Sequence, residues 1–344
     1  LETAVLVALL ATGAFGILHS WLLEFGLNQI VTSLLFFGIL VLAVQLLSLP
    51  FSIWDTFVIE EKYGFNRSTP AVFAFDFVKI LLLECIIGGA LIAVIIWLFY
   101  NTGSWFWIIA LTVIVIFSLM ANALYSKIIV PLFNKQEPLA EGPLLDAIKE
   151  FSHKAGFPVK NVFVIDGSKR SSKANAYFTG FGRNRRIVLY DTLIASMGEK
   201  EVLAVLAHEI GHYRLKHIWQ SMAIGVVNSA FVLFLFALSM ESARLTETLG
   251  FESAEPVFHL NLLGFSILLI PVMRIKSLLT NHISRKMEYS ADAFVRRHGM
   301  AQPLVKGLKI LSSQNLSNLT PHPAYVCAYY SHPPLHDRVK KLTE

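Results

Sequence analysis

The sequence has few charged residues and few cysteines. Asp, Glu, Lys and Arg make up only 15% of the 344 residues, whereas about 25% is usual in soluble domains. Hydrophobic residues make up 55%. The two cysteines, Cys85 and Cys327, are too few for a disulfide framework or for a zinc site built from thiolates. The composition therefore excludes a disulfide-stabilised secreted domain and indicates a chain that lies largely in lipid.

Six apolar stretches are long enough to cross about 30 Å of hydrocarbon as helices. They comprise residues 3–23, 31–53, 75–100, 105–132, 221–239 and 257–279. Glu84 lies within the third stretch, and an ionisable side chain at that depth is expected to face the bundle interior or a water-filled cavity. The sequence therefore predicts an integral membrane protein with several spans.

Two polar segments, residues 133–220 and 281–344, lie outside these stretches. Two predicted spans separate them, so both are expected on the same side of the membrane. Thirteen of the 29 Lys and Arg residues fall in the first segment, and eleven lie from Arg274 onward. The positive-inside rule then places both segments in the cytoplasm. It also accounts for the net charge of +5, so no nucleic-acid partner is expected.

The first polar segment mixes helical and strand patterns. The pattern predicts an amphipathic helix over residues 144–155 and short strands over 161–165, 175–178 and 186–190. The predicted fold class is mostly α, with a multi-span membrane helical bundle and an α+β domain formed by two chain segments. The expected parts are four spans in residues 1–132, the first part of the domain in 133–220, a hairpin of two spans in 221–280 and the second part of the domain in 281–344.

A metal-binding pattern, HExxH, lies on a predicted helix of the first polar segment. Ser196 and Glu199 form a capping box that opens this helix. His208 and His212 project from one helix face, so both imidazoles can reach one Zn²⁺ at about 2.0–2.1 Å. Glu209 is offset around the helix and can take a proton from a water molecule that the zinc holds. The pattern predicts a zinc hydrolase with Glu209 as general base.

A third metal ligand has to come from another part of the chain. Glu288 is the best candidate, on a helix predicted for residues 284–297 directly after the last span. Asp292 lies one turn further along the same face. There it can accept a hydrogen bond from a ligand histidine and fix the orientation of that ring. An ordinary solvated acidic pair on an amphipathic helix is the alternative interpretation.

Other histidines compete with Glu288 for the third position, namely His217, His282 and His298. The HExxH helix is expected to run to about Lys216, and His217 lies five residues beyond His212. In a continuous helix this spacing rotates His217 away from the ligand face. His298 lies near a predicted helix end.

Several stretches together resemble the type I CAAX prenyl proteases, which are membrane-embedded zinc endopeptidases. The stretches are residues 60–66 (EEKYGFN), 166–172 (DGSKRSS) and 175–178 (NAYF), the HExxH helix, the ExxxD element of residues 288–292, and residues 331–335 (SHPPL) followed by Arg338. They occur in the order of that family and extend over nearly the whole chain. The set is far more specific than the zinc pattern alone.

The resemblance implies a zincin-like (gluzincin) metalloprotease domain with one Zn²⁺ per chain and Glu288 as the third ligand. It implies endoproteolysis near the C-terminus of prenylated CAAX proteins, so the expected partners are a prenylated peptide or protein substrate and membrane lipid. The family has seven spans around an intramembrane chamber, and the first span is therefore expected to be missing from this chain. The compact loops are more similar to those of a bacterial relative, which implies a bacterial inner membrane rather than the endoplasmic reticulum.

The resemblance also assigns Asn175 and His332 to binding of the substrate backbone or of the transition-state oxyanion. Asn175 heads a possible edge strand, to which a peptide substrate could add, and a turn residue is the alternative. His332, which precedes Pro333, could donate to the developing oxyanion or be an ordinary loop histidine. Arg338 is expected to pair with a carboxylate and so hold the C-terminal segment against the domain.

Other functions stay open from the sequence. A related family of proteases that degrade misfolded membrane proteins shares the zinc core. A membrane chamber or transporter could carry a structural zinc, but such a site closes its fourth position with a ligand and needs no base such as Glu209. Cleavage inside a transmembrane helix would place HExxH on a span, which the charged ends of its helix, Glu199 and Lys216, disfavour.

Overall fold

The structure is a computed structural model that describes residues 2–157, 159, 161–179, 186–240 and 242–344. The chain divides into two compact units, each assembled from three chain segments. Unit 1 contains the residues up to Asp55, Pro70–Ile116 and Ile224–Met273. Unit 2 contains Thr56–Thr69, Phe117–Ala223 and Arg274–Glu344. The described residues of both polar segments therefore lie in unit 2.

Helices make up most of the described chain. In chain order they are α1 (Glu2–Ala11), α2 (Ala14–Leu23), α3 (Gln29–Trp54), α4 (Pro70–Leu83), α5 (Gly89–Thr102), α6 (Phe106–Leu124), α7 (Val130–Phe133), α8 (Pro143–Lys154), α9 (Asp191–Ser196), α10 (Glu199–Arg214), α11 (His217–Ser239), α12 (Arg244–Thr248), α13 (Phe258–Arg297), α14 (Ala301–Gln314), α15 (Pro323–Tyr329) and α16 (Leu335–Thr343). Turns of π-helix at Asp55–Glu60, Glu84–Gly88 and Tyr125–Ile129 continue α3, α4 and α6.

Four helical segments of the described chain are long and apolar enough to cross a membrane, and α1 with α2 form a fifth if that bent pair is one span. The four are Gln29–Glu60, Pro70–Phe133, His217–Ser239 and Phe258–Arg297. Together with the bent pair they contain the six predicted stretches, except for residue 257 at the start of the sixth. The third and fourth predicted spans share the 64-residue segment Pro70–Phe133, in which Gly103 leaves helical geometry (φ 51°, ψ −131°).

The first predicted span is bent rather than straight. Its two halves, Thr3–Ala11 and Ala14–Leu23, meet at an angle of 59°. Gly13, at the break, has φ 64°, a left-handed conformation that glycine adopts without steric cost. The sequence prediction of one helix there therefore missed the bend.

Unit 1 presents a large apolar surface. Many of its large hydrophobic side chains are exposed, among them Val44, Leu47, Ile86 and Leu268. Its interior contains aromatic side chains from several helices, such as Phe36 and Phe258, which are fully buried. Apolar residues on the outside and packed aromatic residues inside are the arrangement that helices in lipid require.

The last predicted span and the ligand helix are one element. The sequence suggests a separate helix over residues 284–297, but α13 runs without a break from Phe258 to Arg297 and includes Pro271. Its 40 residues correspond to about 60 Å at 1.5 Å per residue. This length is about twice the thickness of the hydrocarbon core. The residues between the two predicted helices include neither glycine nor proline, so nothing in the sequence ends the helix there.

A mixed four-stranded sheet belongs to unit 2. Its strands are β1 (Gln136–Pro138), β2 (Val162–Ile165), β3 (Ala176–Thr179) and β4 (Arg186–Tyr190), in the spatial order β1-β2-β4-β3. Strands β2 and β4 are parallel, and the other two pairs are antiparallel. Strands β2, β3 and β4 match the three predicted strands to within one residue at each end. Strand β1 was not predicted, because its three residues show no alternation of apolar and polar side chains. Strand β3 lies at the edge of the sheet.

Helix α10 lies in the main hydrophobic core of unit 2. Its residues Val202, Leu206 and Ile210 are almost completely buried in a cluster that also includes Ile148 of α8 and Leu189 of β4. Burial of each such side chain typically contributes about 1.5–3 kcal/mol. The helix that carries HExxH is therefore held rigidly by its surroundings.

The capping-box prediction for this helix is wrong. Helix α10 begins at Glu199, and Gly198 occupies its N-cap without a side-chain hydrogen bond. Ser196 instead ends α9, and its hydroxyl donates to the carbonyl oxygen of Leu193 at 3.0 Å. The sequence pattern of a capping box is present, but the extended backbone at Met197 separates the two helices.

Two glycines of unit 1 bring their backbones into contact. The Gly16 amide donates to the carbonyl oxygen of Leu249 at 2.9 Å. A Cβ on Gly16 would lie only 2.1 Å from the carbonyl oxygen of Gly250. We predict that Gly16→Ala lowers the melting temperature in detergent, because overpacking of this kind costs about 1–3 kcal/mol.

Gly38→Ala is the matched control for this prediction. Gly38 is also a helical glycine of unit 1, but a Cβ added there would meet no atom within 4 Å. Alanine is favoured over glycine inside a helix, so Gly38→Ala should melt no lower than the wild type. Equal melting temperatures for the two variants would contradict the proposed backbone contact.

Candidate metal centre and active site

The site lies within unit 2, where three elements meet. Helix α10 contributes His208 and His212, α13 contributes Glu288, and the loop before α16 contributes His332. The close approach of α10 and α13 depends on Gly211. A Cβ on Gly211 would lie 3.2 Å from Cδ1 of Phe294 and 3.4 Å from the Cα of Ala291. A larger residue at this position would require its neighbours on α13 to shift by a few tenths of an ångström.

Two histidines and one glutamate form a compact group of possible metal ligands. The Nε2 atoms of His208 and His212 are 3.1 Å apart. Oε2 of Glu288 lies 3.3 Å from Nε2 of His208, and Oε1 lies 3.2 Å from Nε2 of His212. Ligands at 2.0–2.1 Å from one tetrahedral ion are about 3.4 Å apart. The spacing therefore fits one shared ion.

The environment of Glu288 also fits a metal ion. Within the described part of the chain its buried Oε2 accepts no hydrogen bond, and Nη1 of Arg338 lies 3.7 Å from it. A buried carboxylate oxygen without a hydrogen bond is unfavourable. A cation held by the three ligands would satisfy it.

Asp292 lies behind His208, on the side away from Glu288. Its Oδ1 is 3.0 Å from Nδ1 of His208, which leaves Nε2 of the ring to face the other ligands. Arg338 donates to both carboxylate oxygens of Asp292, from Nε at 2.9 Å and from Nη2 at 2.7 Å. Such bidentate pairs are strong and fix geometry. Arg338 thus pairs with a carboxylate, which attaches α16 to α13.

The carboxylates increase the affinity of His208 for a positive charge. Burial alone lowers the pKa of the His208 imidazole, but the adjacent carboxylates of Asp292 and Glu288 outweigh burial and raise that pKa to about 9. The same negative charges attract a metal cation. A metal ion at this site would therefore compete with a proton for Nε2 of His208.

His217 does not lie where a continuous helix would put it. Helix α10 ends at Arg214, Lys216 has a left-handed backbone (φ 60°) and α11 begins at His217. Because of this break the His217 ring lies beside His212, with Nδ1 of His217 3.0 Å from Nδ1 of His212. His217 is outside the group of possible ligands, as expected, but the assumption of an unbroken helix was wrong, and the ring contacts His212.

The other competing histidines are not part of the ligand group. Among the described residues, the group of His, Cys, Asp and Glu that could hold a metal ion consists of His208, His212 and Glu288. His298 makes a 2.8 Å hydrogen bond to the carbonyl oxygen of Phe294. His282 is exposed on α13.

A cavity of about 760 Å³ opens beside the ligand group. Glu209 is half-buried and lines this cavity together with the three candidate ligands. Much of the remaining wall is apolar and comes from β3, α9, α11 and α14. It includes Phe178, Leu193, Ile218, Met222, Leu304, Leu308 and Leu311.

Asn175 and His332 both line the same cavity. Asn175 directly precedes the edge strand β3, and its Oδ1 accepts a hydrogen bond from the Ala176 amide at 2.8 Å. Nε2 of His332 lies 3.4 Å from Oε1 of Glu288, and 69% of the His332 side chain is exposed. The structure therefore brings all the predicted site residues together around one cavity, with Asp292 behind it.

Two sequence families match the chain in succession. Residues 1–135 match the family described as CAAX prenyl protease N-terminal, five membrane helices. Residues 138–344 match peptidase family M48. All of the site residues described above fall within the second match.

Similar proteins come from several eukaryotes. The CAAX prenyl protease 1 homolog of Oryza sativa is 40% identical over 319 residues, which cover 92% of this chain and 74% of the relative. CAAX prenyl protease 1 of Saccharomyces cerevisiae is 36% identical and covers 92% and 73%. The human CAAX prenyl protease 1 homolog is 33% identical and covers 91% and 74%. These relatives give no support to the expected bacterial origin.

A solved structure has the same fold. The crystal structure of S. mikatae Ste24p aligns with a TM-score of 0.88 and 33% sequence identity, over 95% of this chain and 80% of that one. The match confirms the predicted fold class, a mostly helical membrane protein with a small sheet in its protease domain. The chain therefore belongs to peptidase family M48, as a multi-pass membrane metalloprotease of the CAAX prenyl protease 1 family.

Proposed function

We propose that this chain is a zinc-dependent endopeptidase that cleaves near the C-terminus of prenylated CAAX-type proteins. The observation that carries the proposal is Glu209 beside the group of His208, His212 and Glu288 in one open cavity. Relatives named CAAX prenyl protease 1, up to 40% identical, support the substrate class.

His208, His212 and Glu288 are the residues that would hold the zinc. When bound there, a zinc ion lowers the pKa of water and polarises a peptide carbonyl as a Lewis acid. Two imidazoles and one carboxylate are the ligand set of several catalytic zinc sites. Asp292, oriented by Arg338, accepts the Nδ1 proton of His208 and so keeps Nε2 available.

Glu209 acts as general base and then as general acid in this proposal. Its carboxylate is not part of the ligand group, yet it lines the same cavity. From there it takes a proton from the attacking water and transfers it to the nitrogen of the leaving peptide. A site with only a structural metal would need no such residue.

The edge of the sheet supports binding of an extended peptide. Strand β3 pairs with β4 on one side, and its other side has no strand partner within the described residues. Asn175 would bind the main chain of a substrate that adds to this edge. His332 would donate a hydrogen bond to the oxyanion, and the apolar cavity wall would accept aliphatic side chains near the cleaved bond.

The proposal includes the arrangement across the membrane. Residues 133–220 and 281–344 would form one metalloprotease domain on the cytoplasmic side, and residues 1–132 and 221–280 would supply the spans. The shared compact unit of the two polar segments and their excess of Lys and Arg support this topology. Membrane lipid would then surround the exposed apolar surface of unit 1.

A cleavage assay on paired peptides tests the function. Purified protein is incubated with a farnesylated CAAX peptide and with the same peptide without the lipid, each with and without a zinc chelator. We expect cleavage of the farnesylated peptide, its loss with chelator and its recovery when zinc is added back. Cleavage that is insensitive to chelator would contradict the metal mechanism, and equal cleavage of both peptides would remove the prenyl specificity.

We predict that Glu209→Gln reduces peptide cleavage by at least about 10²–10⁴-fold, the usual contribution of general-base catalysis. Glutamine has nearly the same shape but does not accept the proton. Zinc content, measured by elemental analysis, should stay at one per chain because His208, His212 and Glu288 are intact.

Glu199→Gln provides the matched control for this variant. Glu199 lies on the same helix, is exposed and does not line the cavity. This variant should cleave at the wild-type rate. Retained activity in Glu209→Gln would show that another group accepts the proton, and loss of zinc would show that Glu209 supports the metal site.

The affinity for zinc should depend steeply on pH. A pKa of about 9 for His208 means that both ring nitrogens are protonated at neutral pH, and zinc binding would release the proton on Nε2. We predict that zinc affinity falls about tenfold for each pH unit from 8.5 to 6.5. Competition with a chelating dye, corrected for protonation of the dye, measures this dependence. An affinity that is constant over this range would contradict proton competition at His208.

A further inference from the structure

His217 connects His212 to helix α13 through two successive hydrogen bonds. Nδ1 of His217 lies 3.0 Å from Nδ1 of His212. Nε2 of His217 lies 3.1 Å from Oγ of Ser290. The Ser290 hydroxyl donates its own proton to the carbonyl oxygen of Met287 at 2.8 Å. All the polar atoms of the buried His217 ring are therefore accounted for.

The directions of these bonds follow from the available protons. The hydroxyl of Ser290 has one proton, which it gives to Met287, so it accepts from Nε2–H of His217. The neutral His217 ring then has an unprotonated Nδ1, which accepts from Nδ1–H of His212. As a result Nε2 of His212 carries no proton, and this is the atom that faces His208 and Glu288.

We infer that His217 is a positioning residue that selects the metal-binding tautomer of His212 and fixes the orientation of its ring. The inference rests on the proposed zinc site and assigns no ligand role to His217. It gives His212 a counterpart of the hydrogen bond that Asp292 makes to His208. Partners of this kind are a general feature of histidine ligands.

The backbone at Lys216 makes this contact possible. Lys216 has φ 60°, a conformation that is uncommon for residues other than glycine. It separates α10 from α11 and places the buried ring of His217 beside His212, while Lys216 itself is exposed. Unusual backbone of this type is often kept where a side chain has to be aimed.

Two substitutions of His217 separate hydrogen bonding from packing. Leucine fills similar space without polar atoms. Asparagine can place an acceptor near the position of Nδ1 and a donor toward Ser290. We expect His217→Leu to weaken zinc affinity about 10- to 100-fold, as loss of such a partner usually does. His217→Asn should restore most of that loss. His282→Leu, at an exposed histidine of α13, is the control and should leave zinc affinity unchanged.

Ser290→Ala tests the second bond without altering the ring. It removes the acceptor of His217 and should weaken zinc affinity roughly fivefold, the effect of one hydrogen bond. Ser290→Ala also tests the positioning role of His217 if the His217→Leu variant does not fold. Wild-type zinc affinity in Ser290→Ala would then overturn the inference.

Zinc dissociation constants are measured by dye competition on the full-length protein in detergent, and melting temperatures of the zinc-free forms report folding. Weaker binding in His217→Leu with recovery in His217→Asn supports the inference. If the wild type and His217→Leu bind zinc equally, the positioning role fails while the proposed function stands. If the wild type itself binds no zinc, the proposed function fails and the inference fails with it.

Discussion

The site depends on the close packing of α10 against the polar end of α13 at Gly211. Two candidate ligand histidines four residues apart on one helix face two acidic residues four residues apart on the other, so Glu288 lies between the histidines and Asp292 lies behind the first. The buried pair of Asp292 and Arg338 fixes this register. A buried ion pair of this kind is costly to break because one charge would be left without its partner.

The two histidines are held by chemically different partners. Nδ1 of His208 contacts the carboxylate of Asp292. Nδ1 of His212 contacts the neutral imidazole of His217, which is hydrogen-bonded in turn to the hydroxyl of Ser290. A carboxylate raises the basicity of the ring it contacts more than a neutral acceptor does. The group thus combines two imidazoles that have different hydrogen-bond partners with a single carboxylate. This limits the negative charge that the core of unit 2 has to accommodate.

Much of the site was predictable from sequence because it lies on regular helices. The four-residue spacings of His208 with His212 and of Glu288 with Asp292 place each pair on one face whatever the tertiary structure is. The distances between elements were not predictable in this way. His217 was assigned away from the site because no glycine or proline marks the break at Lys216. The start of α10 was misplaced because Ser196 and Glu199 have the spacing of a capping box, whereas Ser196 ends α9 and Gly198 is the N-cap of α10.

We propose that one zinc ion binds between α10 and α13. Crystals of the wild-type protein, prepared without chelator, would be measured at X-ray energies just above and just below the zinc absorption edge. We expect a single anomalous peak, present only above the edge, in contact with Nε2 of His208, Nε2 of His212 and the carboxylate of Glu288. A peak with His217 among its ligands, or no peak between these three residues, would contradict the account.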